Sequence, residues 1–341
     1  MVSCMGKSGL CAIGCAVVLF AAPAAAECIA PPDYVRPVSE TAEDAVIGPT
    51  RTDSIGRVVA PVTVNGQGPF RFIVDTGANR SVLSQALAER LGLSANGTGD
   101  VHSVHGVTPA PLVPVNSLSY GRLALGSAEM PMLRGAVLAG EQGLLGVDGM
   151  RGRRLRIDFE RGCIEIIPSA DAPRLRRGWT SVNGQLRFGH LVLVPGRVNG
   201  VAVSLFLDTG SNQTLANPAL QAALDARQSR PGTPQERTVA YTAGRPVVLD
   251  DALLLPRMRI GPSSEITLRN VTAYVGAFHI FDLWGLRDEP ALLLGMDVLS
   301  QVRELAIDYE RATVHFRFQQ QEQPSVVFLQ ESSRNTGSRV R

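Results

Sequence analysis

The stretch Phe72-Ile73-Val74-Asp75-Thr76-Gly77-Ala78-Asn79 is a short apolar run that ends in Asp-Thr-Gly. An apolar run closed by a glycine reads as a buried strand entering a turn. The chain writes the same phrase again as Leu205-Phe206-Leu207-Asp208-Thr209-Gly210-Ser211-Asn212, with its aspartate 133 positions further on. Upstream, Val64-Asn65-Gly66 is matched by Val198-Asn199-Gly200, each an Asn-Gly turn signal. Downstream, Leu144-Leu145-Gly146-Val147-Asp148 is matched by Leu293-Leu294-Gly295-Met296-Asp297, and Ile157-Asp158-Phe159-Glu160-Arg161 by Ile307-Asp308-Tyr309-Glu310-Arg311. Paired blocks in the same order identify a duplicated domain. At ordinary residue usage one Asp-Thr-Gly is expected roughly 0.06 times in such a chain. Two of them, each inside a larger repeat, are not accidental.

Each copy reads as mostly β. Hairpins are expected over Leu155 to Ile167 and Leu305 to Phe318, turning at Glu160-Arg161-Gly162 and Glu310-Arg311-Ala312. Short helices are expected at Gln85 to Leu91, at Pro218 to Ala226, and after Asp148 and Asp297, where the aspartate would cap a turn. The predicted organisation is an irregular segment over 27–53, a first lobe over 54–168, a linker over 169–185, a second lobe over 186–318 and a flexible tail over 319–341.

Composition excludes several classes of function. The 341 residues are 45% hydrophobic and 19% charged, enough for packed cores and too apolar for disorder. A net charge of +2 without a basic stripe gives no support for nucleic-acid binding. One apolar run approaches membrane length, and it has the order of a secretory leader: Lys7, then Leu10 to Phe20, then Ala24-Ala25-Ala26. Removal of 1–26 would leave a mature chain starting at Glu27, with no membrane attachment. Of five cysteines only Cys28 and Cys163 would then remain, as one disulfide or as two thiols.

A strand ending in Asp-Thr-Gly delivers a carboxylate at a turn, where a glycine can take a positive φ and expose its amide. If the copies pack about a pseudo-two-fold axis, Asp75 and Asp208 meet. Two carboxylates in contact cannot both ionise easily, so they hold one proton between them. Such a pair can hydrolyse an acyl bond: one member takes a proton from water while the other donates to the carbonyl oxygen. Ser211 follows the second loop where Ala78 follows the first, so a serine hydroxyl on Asp208 would make Asp208 the charged member and Asp75 the protonated one.

On these residues the chain resembles the retropepsin and pepsin-like aspartic proteases, in the bacterial form with two retropepsin-like domains in one chain. The resemblance covers about 54–318. It implies an all-β, bilobal acid-protease fold: two pseudo-two-fold-related β-barrel lobes with few short helices. It implies Asp75 and Asp208 as the catalytic pair, Thr76 and Thr209 bonded across the interface, and Gly77, Ala78, Gly210 and Ser211 shaping the loops. The apolar-apolar-Gly segments that thread beside the loops are matched by Leu145-Gly146 and Leu294-Gly295. Flap hairpins are expected at His102 to Pro109, centred on His105-Gly106, and at Tyr241 to Pro246, centred on Ala243-Gly244. No cofactor and no metal are implied.

The remaining polar residues read more plainly. His102 and His105 lack further ligands for a metal, and His190, His279 and His315 are singletons. Asp158 and Asp308 read as hairpin charges. Asn79-Arg80-Ser81 and Asn212-Gln213-Thr214 match the glycosylation pattern by coincidence, since sugar there would crowd the site. The expectation is an exported aspartic endopeptidase, periplasmic or secreted, acting as a pseudo-dimer on an extended protein or peptide substrate. The alternatives are a non-catalytic peptide-binding module of the same fold, and a protease whose lobes pair between chains.

Overall fold

The computed structural model describes residues 56–104, 106–121, 123–134, 138–175, 177–188, 191–226, 238–240, 247–249, 251–318 and 326–328. The leader, Cys28, His105 and the second flap tip with Tyr241 and Gly244 lie outside the described residues.

The first lobe contains β1 (Val59–Val64), β2 (Gln67–Val74), β3 (Val82–Ser84), β4 (Gly97–Ser103), β5 (Gly106–Tyr120), β6 (Leu123–Leu133) and β7 (Gly143–Leu145), with one short helix, α1 (Gln85–Arg90). Six of these strands form a ring, in the order β1-β2-β7-β3-β6-β5, which closes where β5 pairs back onto β1. Closure leaves no unpaired edge around the core. The expected Asn-Gly turn joins β1 to β2, with Asn65 and Gly66 both at positive φ. The alternate residues Ala60, Val62 and Val64, together with Phe70 and Phe72, fill the interior.

The chain then makes the predicted hairpin, β8 (Arg153–Asp158) and β9 (Cys163–Pro168), and continues through the expected linker. That linker is not wholly irregular, because β10 (Trp179–Asn183) forms within it. Cys163 is disulfide-bonded, to a partner outside the described residues.

The second lobe comprises β11 (Gln185–Arg187), β12 (Leu191–Val198), β13 (Val201–Leu207), β14 (Leu215–Ala216), β15 (Thr238–Ala240), β16 (Val247–Leu249), β17 (Ala252–Ile260), β18 (Ile266–Val275) and β19 (Ala291–Leu294). It repeats the ring as β12-β13-β19-β14-β18-β17, again closed, by β17 on β12. Its helices are α2 (Pro218–Asp225), α3 (His279–Leu283) and α4 (Met296–Leu299). α2 starts as the sequence predicts: Asn217 caps it by accepting from the Leu220 amide, and Pro218 takes the first helical position. The chain closes with β20 (Glu304–Asp308), β21 (Thr313–Arg317) and β22 (Val326–Phe328), the last adding to β18.

The two lobes are joined by a sheet that belongs to both, ordered β10-β21-β20-β8-β9. At its centre β8 and β20 run antiparallel, with Asp158 opposite Glu304 and Arg154 opposite Asp308. Arg156 bonds Glu304 at 2.7 Å and Glu165 at 3.2 Å, and Arg317 bonds the other oxygen of Glu304 at 2.7 Å. Burying carboxylates is tolerable only with partners of this kind. Among the described residues no helix is long and apolar enough to cross a membrane.

Candidate active site

β2 and β13 each end one residue before an aspartate. The threading strand runs parallel to each: β7 beside β2, and β19 beside β13. The backbone amides of Asp75 and Asp208 donate to the Leu145 and Leu294 carbonyls, at 3.0 and 2.9 Å. Gly146 and Gly295 follow at the crossing. A Cβ on Gly146 would sit 2.6 Å from the Arg80 carbonyl carbon, and one on Gly295 would meet the Gln213 carbonyl.

The loops are fastened to each other by their threonines. Thr76 Oγ1 donates to the Leu207 carbonyl at 2.7 Å and accepts from the Thr209 amide at 3.1 Å. Thr209 Oγ1 donates to the Val74 carbonyl at 2.6 Å and accepts from the Thr76 amide at 3.2 Å. Both threonines are buried. A hydroxyl is required at each place because it must give one bond and take one.

This reciprocal lock brings Asp75 and Asp208 together, and their carboxyls hydrogen-bond to each other. Each also accepts from its own loop: Gly77 N–H to Asp75 Oδ1 at 2.9 Å, and Gly210 N–H to Asp208 Oδ1 at 2.8 Å. Neither glycine has a positive φ. The requirement for glycine is one of space instead. A Cβ on Gly77 would lie 2.6 Å from the Asp208 carboxyl carbon, and one on Gly210 would strike the Asp75 carboxyl. Each glycine thus makes room for the other lobe's carboxylate.

Burial pushes both carboxyls above the usual aspartate range. Asp208 goes further, because the Asp75 charge and the hydrogen bond to Asp75 add to its burial. Asp75 is drawn back by that hydrogen bond, by the Gly77 and Ala78 amides, and by the charge of Arg57. The larger upward push falls on Asp208, against the expectation from Ser211 that Asp208 is the charged member. The reason is geometric: the Ser211 hydroxyl donates to the Gln213 carbonyl at 2.8 Å, and only the Ser211 amide serves the Asp208 carboxyl.

Asp148 and Asp297 are not helix caps in the expected sense. Ser81 donates to Asp148 from both its amide and its hydroxyl, at 3.0 and 2.7 Å, and Thr214 does the same to Asp297 at 3.1 and 2.8 Å. The same two hydroxyls accept from the Gly146 and Gly295 amides. Ser81 and Thr214 are the hydroxyl residues of the two glycosylation-like triplets, and their recurrence has this structural cause. A Ser or Thr two residues after Asn, matched to an Asp two residues after Gly in both copies, was the available signal.

His102 to Pro109 lies in the hairpin of β4 and β5, whose register runs from Gly97 opposite Leu112 to Ser103 opposite Gly106. Gly106 takes φ +139° at the turn. The tip reaches the second lobe: the His279 amide donates to the Val104 carbonyl at 2.9 Å, and His102 Nδ1 lies 3.1 Å from His279 Nε2 with the rings stacked. In the second lobe β15 and β16 pair on either side of the expected flap tip. Two further residues escaped the sequence reading: Arg57, buried two residues before β1, and Tyr309, whose hydroxyl is buried and whose pKa is raised by burial and by Asp75.

The sequence model of one family, described as aspartyl protease, matches residues 60–148 and again residues 194–298. No curated protein matches the chain. The two matched stretches together exceed half of the chain, and each spans one barrel with its Asp-Thr-Gly loop and its threading strand. The chain belongs to the aspartyl protease family.

Proposed function

We propose that the protein is an exported aspartic endopeptidase in which Asp75 and Asp208 activate one water molecule between them. The observation that carries this reading is the reciprocal threonine lock, which holds two buried carboxyls in contact. A pair with one proton is both base and acid. The ionised carboxylate takes a proton from water as the water oxygen bonds to the scissile carbonyl carbon, and the protonated carboxyl gives its proton to the carbonyl oxygen. In the resulting gem-diol, the C–N bond breaks as the carboxyl that took the water proton passes it to the nitrogen and the other carboxylate takes a hydroxyl proton, which leaves a carboxylic acid, an amine and the pair again with one proton. No covalent enzyme intermediate is needed.

The β4–β5 hairpin supports an extended substrate, which would lie along strand edges with alternate side chains on opposite sides. The leader-like start of the sequence supports export, and the disulfide at Cys163 fits an oxidising compartment. Digestion of a peptide library by the wild type, Asp75→Asn and Asp208→Asn tests the reading. Cleavage by the wild type and loss in both variants is expected. Equal cleavage by all three proteins would remove the mechanism.

A further inference from the structure

We propose that Arg57 is the positioning residue that decides which dyad carboxyl is ionised, holding Asp75 as the base and leaving Asp208 as the acid. The inference rests on the aspartic-protease reading above and adds an order to its two carboxyls.

The placement follows from the ladder. β1 and β2 pair with Val59 opposite Ile73, and the Val74 amide donates to the Val58 carbonyl at 2.8 Å. Carried on past the start of β1, the same register sets Arg57 opposite Asp75. Residues directly opposite in an antiparallel pair project to the same face and are near neighbours. Arg57 is only 1% exposed, among the largest fully buried side chains of the protein.

In the second lobe β12 and β13 pair with Leu193 opposite Phe206, and the same ladder carried on sets Leu191 opposite Asp208. Leu191 is also buried. The repeat gives the same equivalence independently. Arg57 lies seven residues before Val64-Asn65-Gly66, and Leu191 seven before Val198-Asn199-Gly200. Two duplicated loops with matched threonines, glycines and threading strands thus differ by a fixed positive charge behind one aspartate and a leucine behind the other.

A guanidinium keeps its proton in proteins, so an arginine is a fixed positive charge and not a second titrating switch. The titratable groups that face Asp75 are Asp208 from the opposite loop and Tyr309 from the turn after β20. Tyr309, its pKa raised, stays a neutral phenol and does not compete. The Arg57 charge favours the ionised form of Asp75, and the Asp75 charge in turn favours the protonated form of Asp208.

The test compares pH–rate profiles of kcat/KM on a cleaved library peptide for the full-length wild type, Arg57→Leu and Arg57→Lys. The leucine variant copies the second lobe. Its acid limb should move up by about one pH unit or more, while the lysine variant keeps the limb close to wild type. An unmoved limb in a folded, active Arg57→Leu overturns the proposal. A wild type without activity would instead defeat the protease reading.

A second measurement needs no turnover. Asp75→Asn removes the carboxylate that faces a buried guanidinium and should lower Tm clearly more than Asp208→Asn, which replaces a group the proposal makes neutral. Equal or reversed losses overturn the proposal even if Arg57→Leu does not fold.

Discussion

Thr209 carries two contacts that no other side chain of its size can supply together. Valine keeps the shape and loses both, leaving the Val74 carbonyl and the Thr76 amide buried without that partner. Thr209→Val should cost about 2–3 kcal/mol in urea unfolding, since a buried polar group is abandoned on each side. Asp297 makes a different case. Burial pushes its carboxyl up to about 6, against an ordinary value of 3.8. A raised pKa means that the folded state prefers the protonated form. Its stabilising effect is therefore complete below about pH 4 and is lost as the pH rises through 6. The stability of the wild type relative to Asp297→Asn should fall by about 2 kcal/mol between pH 4 and pH 7, read from paired denaturation curves. The aspartates and threonines of this site could be found in the sequence because they recur as a fixed phrase. Arg57 could not, because it matters by differing from its counterpart Leu191, and only the strand register reveals what it faces.

The β4–β5 hairpin spans from one barrel to the other. Its tip residue Val104 is buried, and its carbonyl is held by the first amide of α3. The His102 and His279 rings lie 5.4 Å apart at 11° to each other. His279→Ala removes the stack while leaving the backbone bond. Amide exchange across Gly97 to Leu112 should quicken several-fold, with Tm little changed, because the barrels do not depend on the contact. A hairpin near Gly106 was foreseeable from its turn residues. Its anchorage was not: α3 has five residues, too few for a period to show, and its contact joins positions 177 apart in the chain.

Across the whole molecule, the shared sheet decides whether two barrels behave as one body. Glu304 is buried, and Arg156 supplies one of its two cationic partners. Arg156→Ala should destabilise the protein by about 3 kcal/mol, as expected when a buried ion pair loses one member, and differential scanning calorimetry would detect it. The duplication and both hairpins stood out in the sequence. The pairing of β8 with β20 did not, because hairpin charges such as Asp158 and Asp308 look solvent-facing until the second hairpin buries them. Local pattern fixes a hairpin, whereas its partner is a matter of tertiary placement.

The threonine lock closes between two halves of one polypeptide. An enzyme assembled from separate, identical subunits obeys mass action and dissolves its own centre when scarce. Here the two carboxyls are translated together in a ratio of one to one. On the proposed reading, turnover per molecule should stay constant on dilution into the nanomolar range, and a dilute sample would work as well, copy for copy, as a concentrated one.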